Sequence, residues 1–354
     1  MRWFARRMND NDQPSFLGFL GHWIRHLPVE DHYQWLYKEN PHGEALTWLA
    51  IRAGDERIIG CTSLFPRKIF IRDHIATGVC GGDTFVAPDC RRMGIAGELH
   101  RVSNEEMIQA GVGFHFGFPN QANLSVLARL GTNIVGSFRT KALLLRVEPV
   151  VRRLRLGDVV PARMCNLANA ILRSFMLHRR PVLSNDGDLF EITEFDDRYD
   201  RLIEETIPSY QICCIRDSSY LNWRYFKNPL KAHKVLEYRE KGVLQGFMVV
   251  QLVDNKCILF DLFVNNKREI LRNIISSFIK YAFLQSIELV TFTVNPSWSH
   301  ASDLRKAGFV FGDLASRGDT LHFLPVKGYS ETDYLRKLGN WYLTLGDLDS
   351  EAAV

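Results

Sequence analysis

No apolar run in this 354-residue chain approaches the ~20 residues that a membrane-spanning helix needs. The first dozen residues, Met1 to Asp12, lack the apolar core and small-residue cleavage site of a secretory leader. A soluble, unexported, cytoplasmic protein is expected. Cysteine is sparse: Cys61, Cys80, Cys90, Cys165, Cys213, Cys214 and Cys257 lie in apolar segments and form no C-x-x-C pair. That leaves no disulfide framework, zinc ribbon or redox pair, and buried free thiols are expected. Excess charge is lacking too. Lys plus Arg number 44 against 40 Asp plus Glu, and a net +4 is too mild to indicate a dedicated nucleic-acid or polyanion binder. Also missing are H-E-x-x-H, G-x-S-x-G, Gly-Lys-Ser/Thr, G-x-G-x-x-G and any carboxylate pair at metal spacing, so no metal site is expected and serine-hydrolase chemistry has no support.

What the chain does have is 46% hydrophobic residues over a length that suits two ordinary domains. It also contains a concealed repeat. Trp35-x-Tyr37-x-x-Asn40-Pro41 returns as Trp223-x-Tyr225-x-x-Asn228-Pro229, 188 positions later. Ile58-Ile59-Gly60 matches Leu244-Gln245-Gly246, Asp83 to Val86 matches Asp261 to Val264, and Leu127 to Gly131 matches Leu304 to Gly308, at offsets of 186, 178 and 177. Four ordered matches with slowly drifting offsets indicate duplication of a whole domain.

In the first copy, strands are expected over 45–52, 57–65, 68–71 and 82–86, then a helix over 94–110, a strand over 112–118 and a short helix over 120–130. The second copy repeats the pattern with strands over 235–238, 246–253, 257–264 and 288–294 and helices over 270–284 and 299–307. Between them, residues 151–180 carry seven arginines and one acidic residue, Asp158. This stretch reads either as a surface for acidic headgroups or a polyanionic partner, or as a basic inter-domain helix docking Leu167, Ile171 and Phe175 on a domain. The expected division is 1–146, a basic helical linker over 147–188, and 189–354.

The segment with most chemical content is Val86-Ala-Pro88-Asp-Cys-Arg91-Arg92-Met93-Gly94-Ile95-Ala96, between a strand and a helix. Such a turn presents unpaired backbone N–H groups at the positive end of the helix dipole, and Gly94 and Ala96 admit a pyrophosphate close to the backbone. Arg91 and Arg92 add charged donors.

The R-x-x-G-x-A spacing in this context resembles the acetyl-coenzyme A loop of the GCN5-related N-acetyltransferase (GNAT) superfamily. Phe118-Pro119-Asn120-Gln-Ala-Asn123 and the later Leu130-Gly131 are similar to the family's stretch after its fifth strand. The repeated aromatic segments and the tail Trp341 to Asp347 resemble bacterial acyltransferases associated with surface polysaccharide. The resemblance implies an α/β fold: two tandem GNAT-like domains, each a mixed, mostly antiparallel splayed sheet flanked by helices. It implies acetyl-CoA as acyl-donor substrate, held by Phe85, Val86, Arg91, Arg92, Met93, Gly94, Ile95, Ala96, Asn120 and Asn123. The acceptor would be a primary amine of a small molecule, with amino sugars among those admitted. Neither nucleic acid nor a transmembrane segment is implied, and the basic linker has the charge for weak contact with a membrane surface.

Two departures stand out. The second copy reads Val264-Asn-Asn266-Lys-Arg-Glu269 at the loop, with no glycine and with an opposing carboxylate, so it is expected to bind no coenzyme. Many members place a tyrosine general acid seven residues after the Asn; here Leu127 stands there. An ammonium of pKa ~10.4 must lose a proton before it attacks, and Asp83 and His115 are the candidate catalytic bases. Asp83 also reads as a strand-end residue bonded to a turn, and His115 as a core histidine. A non-catalytic acyl-CoA-binding module and an aminoacyl-tRNA-dependent transferase of the peptidoglycan type are the alternatives.

Overall fold

A computed structural model describes residues 2–25, 27–156, 159–178, 187–230, 233–265, 267–311, 320–325 and 328–348, apart from the side chains of 175, 177, 178, 311 and 320. Asp158, Arg179, Arg180 and Asn266, singled out above, lie outside these residues, as does the side chain of Phe175. The first copy begins with β1 (Trp3–Arg7), α1 (Gln13–Leu20) and α2 (Val29–His32), which runs into a widened π turn over Tyr33–Lys38. Then come β2 (Leu46–Arg52), β3 (Ile58–Ile71), β4 (His74–Val86), α3 (Ile95–Met107), β5 (Phe114–Gly117), α4 (Gln121–Arg129), β6 (Asn133–Ser137) and β7 (Arg139–Leu144). The two strands expected at 57–65 and 68–71 are one. Pro66 sits inside it because β3 has no second neighbour between Leu64, where β2 ends, and Ile69, so the missing N–H deprives no partner.

α5 (Glu148–Arg153) and α6 (Ala162–His178) link the copies. The second comprises β8 (Gly187–Ile192), α7 (Asp197–Thr206), β9 (Ile212–Cys214), α8 (Ser218–Leu221) with a π turn over Asn222–Phe226, β10 (His233–Glu240), β11 (Val243–Val253), β12 (Lys256–Val264), α9 (Arg268–Leu284), β13 (Leu289–Val294), α10 (Ala301–Lys306), β14 (Val310–Phe311), β15 (Thr320–Pro325), α11 (Thr332–Leu335) and β16 (Trp341–Tyr342). The repeat is physical. Gly60 pairs with Val86 as Gly246 pairs with Val264, and α4 and α10 both end in a left-handed glycine, Gly131 and Gly308. Trp35 and Trp223 stack at 5.3 Å, each donating its indole N–H to the other's carbonyl (3.0 and 2.8 Å), as a local two-fold would require.

Sheet membership does not follow the expected division of the chain. The first sheet runs β1-β2-β3-β4-β5-β15-β6, and the second β14-β7-β13-β12-β11-β10-β8. The first copy therefore lends its last strand, β7, which lies between β13 and β14, and the second lends β15, which lies between β5 and β6, together with β9, which pairs with β3, and β16, which pairs with β9. Residues 139–144 belong to the second sheet and 320–325 to the first. Buried Leu321 and Phe323 pack there with Phe114, Phe116 and Phe138.

The linker also departs from expectation. Cys165, Ala168, Asn169, Leu172 and Met176, at i, i+3, i+4, i+7 and i+11, form the inward face of α6. Asn169 fixes that face by accepting from Val147 N (2.7 Å) and donating to Glu148 (2.8 Å). Leu167 and Ile171 consequently point outward, 65% and 62% exposed, and do not dock on a domain.

Candidate functional site

β4 carries the centre of the site. Cys61 pairs with Phe85 and Ser63 with Gly82, so Asp83 and Thr84 together oppose Thr62 in a bulge, with Asp83 at φ +41°. An inserted residue reverses which face the following side chains occupy. Val79 packs on the α3 face with Ile95 and Leu99, whereas Phe85, six residues on, stacks on Trp23 beyond the end of α1 (5.0 Å, 3°). Asp83 shares the face of Phe85. Its Oδ2 accepts from the Tyr37 hydroxyl at 2.7 Å, and His32 Nε2 lies 3.0 Å from the same oxygen, donating because a carboxylate only accepts. Burial and the adjacent Asp83 push the Tyr37 phenol well above its ordinary pKa, so it stays protonated as a donor. His32 and Tyr37 were not singled out as site residues in the sequence. The signal was present, because Tyr37 and Asp83 are both repeat positions and their counterparts are bonded alike, Tyr225 to Asp261 at 2.8 Å.

Beside this cluster β4 and β5 part. They pair only over Gly78–Cys80 with Phe114–Phe116, and β4 then continues alone on that side to Val86. Its end leads through Pro88–Cys90 into the turn at α3, where Arg92 (φ +63°) and Gly94 (φ +79°) take left-handed conformations. A Cβ at Gly94 would meet no protein atom within 4 Å, so the glycine answers a backbone requirement and leaves the space above the turn open. Arg91, Arg92 and Met93 are exposed, Ile95 is buried in the core, and Ala96 lies between. Arg91 sits over the Trp23 ring at 5.7 Å. Open space, consecutive amides, two arginines and an unpaired strand edge fit a phosphorylated, pantetheine-like ligand. Asn120 caps α4 by accepting from Asn123 N (2.9 Å), and Asn123 Oδ1 accepts from His100 Nε2 (3.0 Å). Next to Trp23 is a recess of about 420 Å³, lined among others by Ser15, Phe19, His22, Asp55 and Glu56.

His115 lies on the opposite face. It is buried between the rings of His100 (6.3 Å) and His322 (5.3 Å), and its Nε2 would be 2.0 Å from a Cβ on Gly81. Burial and the neighbouring imidazoles hold its pKa well below 6.5, which makes it a neutral group and a weak base. The two candidate bases are thus not brought together, and Asp83 alone acquires polar partners. Leu127 is buried, 1% exposed, and carries no hydroxyl to offer a ligand. Tyr220 and Tyr342 are spent in the second copy, donating to Gly346 O (3.4 Å) and Leu262 O.

The second copy fills its own slot. β12 and β13 part after Leu259 and Phe292, but Tyr342 and Tyr210 donate to the carbonyls of Leu262 and Val264, the counterparts of Thr84 and Val86. Asp261, the counterpart of Asp83, is held by fully buried Arg216 (3.1 Å) and by Thr344 (2.8 Å), and Arg216 also binds Asp347 at 2.7 Å. Both oxygens of Asp261 are thus taken up by buried protein donors, Arg216, Thr344 and Tyr225 among them, and the carboxylate is closed to a substrate. Among the described residues no group of three or more His, Cys, Asp or Glu is arranged to hold a metal, and no helix is long and apolar enough to cross a membrane.

No family model and no curated protein sequence matches the chain. Solved structures do. A probable N-acyltransferase from Enterococcus faecalis V583 aligns at TM-score 0.67 and 9% identity, over 92% of this chain and 73% of that one. A GCN5-related N-acetyltransferase from Anabaena variabilis ATCC 29413 aligns at 0.65 and 11% identity, over the same shares. A tandem GNAT protein from the clavulanic acid biosynthesis pathway aligns at 0.52 and 15% identity, over 92% of this chain and 99% of that one. With its two splayed sheets, duplicated landmarks and these neighbours, the chain has a tandem GNAT fold.

Proposed function

We propose that the protein is an acyltransferase that moves an acetyl or other short acyl group from coenzyme A to a primary amine of a small molecule, using the first copy alone. The observation that carries this reading is the unpaired edge of β4 running from Asp83 into the left-handed turn at Arg92 and Gly94. The edge, the amides of the turn, Arg91 and Arg92 would hold the pantetheine arm and pyrophosphate. Coenzyme A supplies an acyl group activated as a thioester.

Asp83 takes the proton from the incoming ammonium, while His32 and Tyr37, both bonded to its Oδ2, keep the carboxylate oriented. The freed amine nitrogen bonds to the thioester carbon, backbone N–H groups at the bulge polarise its oxygen, the nitrogen gives its second proton to solvent as the C–S bond breaks, and solvent water protonates the thiolate. The recess beside Trp23 has the size of a small-molecule site, and its lining of Phe19, Trp23, His22, Asp55, Glu56 and Arg57 suits a small polar molecule. Amino sugars meet that description. The test is a single-turnover assay with radiolabelled acetyl-coenzyme A and pooled amines. Transfer of label supports the reading. Binding without transfer would make the protein an acyl-CoA-binding module, and binding of aminoacyl-tRNA in place of coenzyme A would make it a peptidoglycan-type transferase.

A further inference from the structure

We infer that the linker between the copies is a docking surface for an anionic lipid bilayer, a role separate from acyl transfer. The inward stripe of α6 is fully used, yet Met164, Leu167 and Ile171, at i, i+3 and i+7, form a second apolar stripe on its outside, each more than 60% exposed. Leu154, Leu156 and Val159, between α5 and α6 in the sequence, are exposed as well. At the other end Arg173 lies over Phe283 (5.5 Å), which brings the end of α9 and its exposed Leu284 alongside. No described residue covers these side chains. A helix that is apolar on two faces, with one face open, leaves an area that water disfavours and a partner would bury.

The charge around the stripe identifies that partner. Arg152, Arg153, Arg155, Arg163 and Arg173 are all exposed along this surface. Among the described residues two carboxylates at this linker are already committed, Glu148 to Arg146 at 3.2 Å and Glu288 to Arg152. Arg155 and Arg163 have no ion-pair partner among the described residues. A second copy of this chain seated on the stripe would set these arginines against their own images. A bilayer with acidic headgroups meets both features, since the leucines and isoleucine enter the acyl boundary while the arginines remain with the phosphates. At 17 residues, interrupted by Arg173, α6 would lie on the surface.

The test is co-sedimentation of the full chain with vesicles of phosphatidylcholine alone or mixed with phosphatidylglycerol. Sedimentation with the mixed vesicles, its loss at high salt, and its absence with phosphatidylcholine alone are expected. Arg155→Ala and Arg163→Ala should each weaken partitioning about fivefold. The double variant Leu167→Glu, Ile171→Glu should stay in solution with an unchanged thermal melt, because neither side chain contributes to a core. Equal binding to both vesicle types, no binding to either, or a double variant that sediments like the parent would overturn the inference. So would a dimer in sedimentation velocity that the double variant abolishes, which would make a second copy the occupant.

Discussion

Replacing Asp83 with Asn tests the site with little disturbance to the fold. The amide carbonyl can still accept from Tyr37 and His32, whose bonds to Asp83 Oδ2 measure 2.7 and 3.0 Å. What disappears is the group that takes a proton. At pH 7 an amine of pKa ~10.4 is neutral in about one molecule in 2,500, so an enzyme without a base depends on that fraction. A positioned general base is worth about 10²- to 10⁴-fold, and the loss in kcat should fall in that range while coenzyme affinity, set by the turn at α3, is retained. The pH profile adds a second signature. In Asp83→Asn the rate should climb about tenfold per pH unit towards the amine pKa, because solution now prepares the nucleophile. His115→Asn is the control from the opposite face of the sheet and should cost less than about tenfold. Undiminished kcat in Asp83→Asn, or an equal loss in both variants, would refute the assignment of the base to the α2 face.

Gly94→Ala should weaken acetyl-coenzyme A binding at a stability cost of about 1 kcal/mol, because φ +79° strains any side chain and the new methyl occupies open space above the turn; calorimetry and thermal melts separate the two effects. The same titration of the parent protein should give one site per chain, and two equivalent sites would show that Tyr342 and Tyr210 do not close the second slot. Acid should destabilise the fold through its neutral histidines. His322 is buried with its pKa pushed down to about 3 from 6.5, so its contribution is full above pH 6.5 and is lost as pH falls towards 3, on the order of 5 kcal/mol in all. Chemical unfolding between pH 8 and pH 4 should show that slope, and His322→Gln should flatten it. Phe323→Ala lies in the second half of the sequence but should cost about 3–5 kcal/mol in the first sheet, with hydrogen exchange rising at β5 and β6.

Local sequence determined what local physics controls. The duplication was legible because Trp-x-Tyr-x-x-Asn-Pro and the glycines at 60, 131, 246 and 308 recur in order. The turn at Gly94 was legible because few residues other than glycine take a left-handed backbone at a helix start. Closure of the second copy was foreshadowed by its missing glycine. Three matters were decided only in the folded chain. The exchange of β7 and β15 depends on pairing between strands some 180 positions apart, and a strand's own residues do not name the sheet that receives them. Which of Asp83 and His115 acquires polar partners depends on a bulge that turns Asp83 and Phe85 to the α1 and α2 face, an event read only from register with β3. The outward stripe of α6 depends on Asn169, whose bonds to Val147 and Glu148 select which of two apolar faces is buried. In each case the deciding contact lies far along the chain or between two locally equal alternatives, and tertiary packing is what breaks the tie.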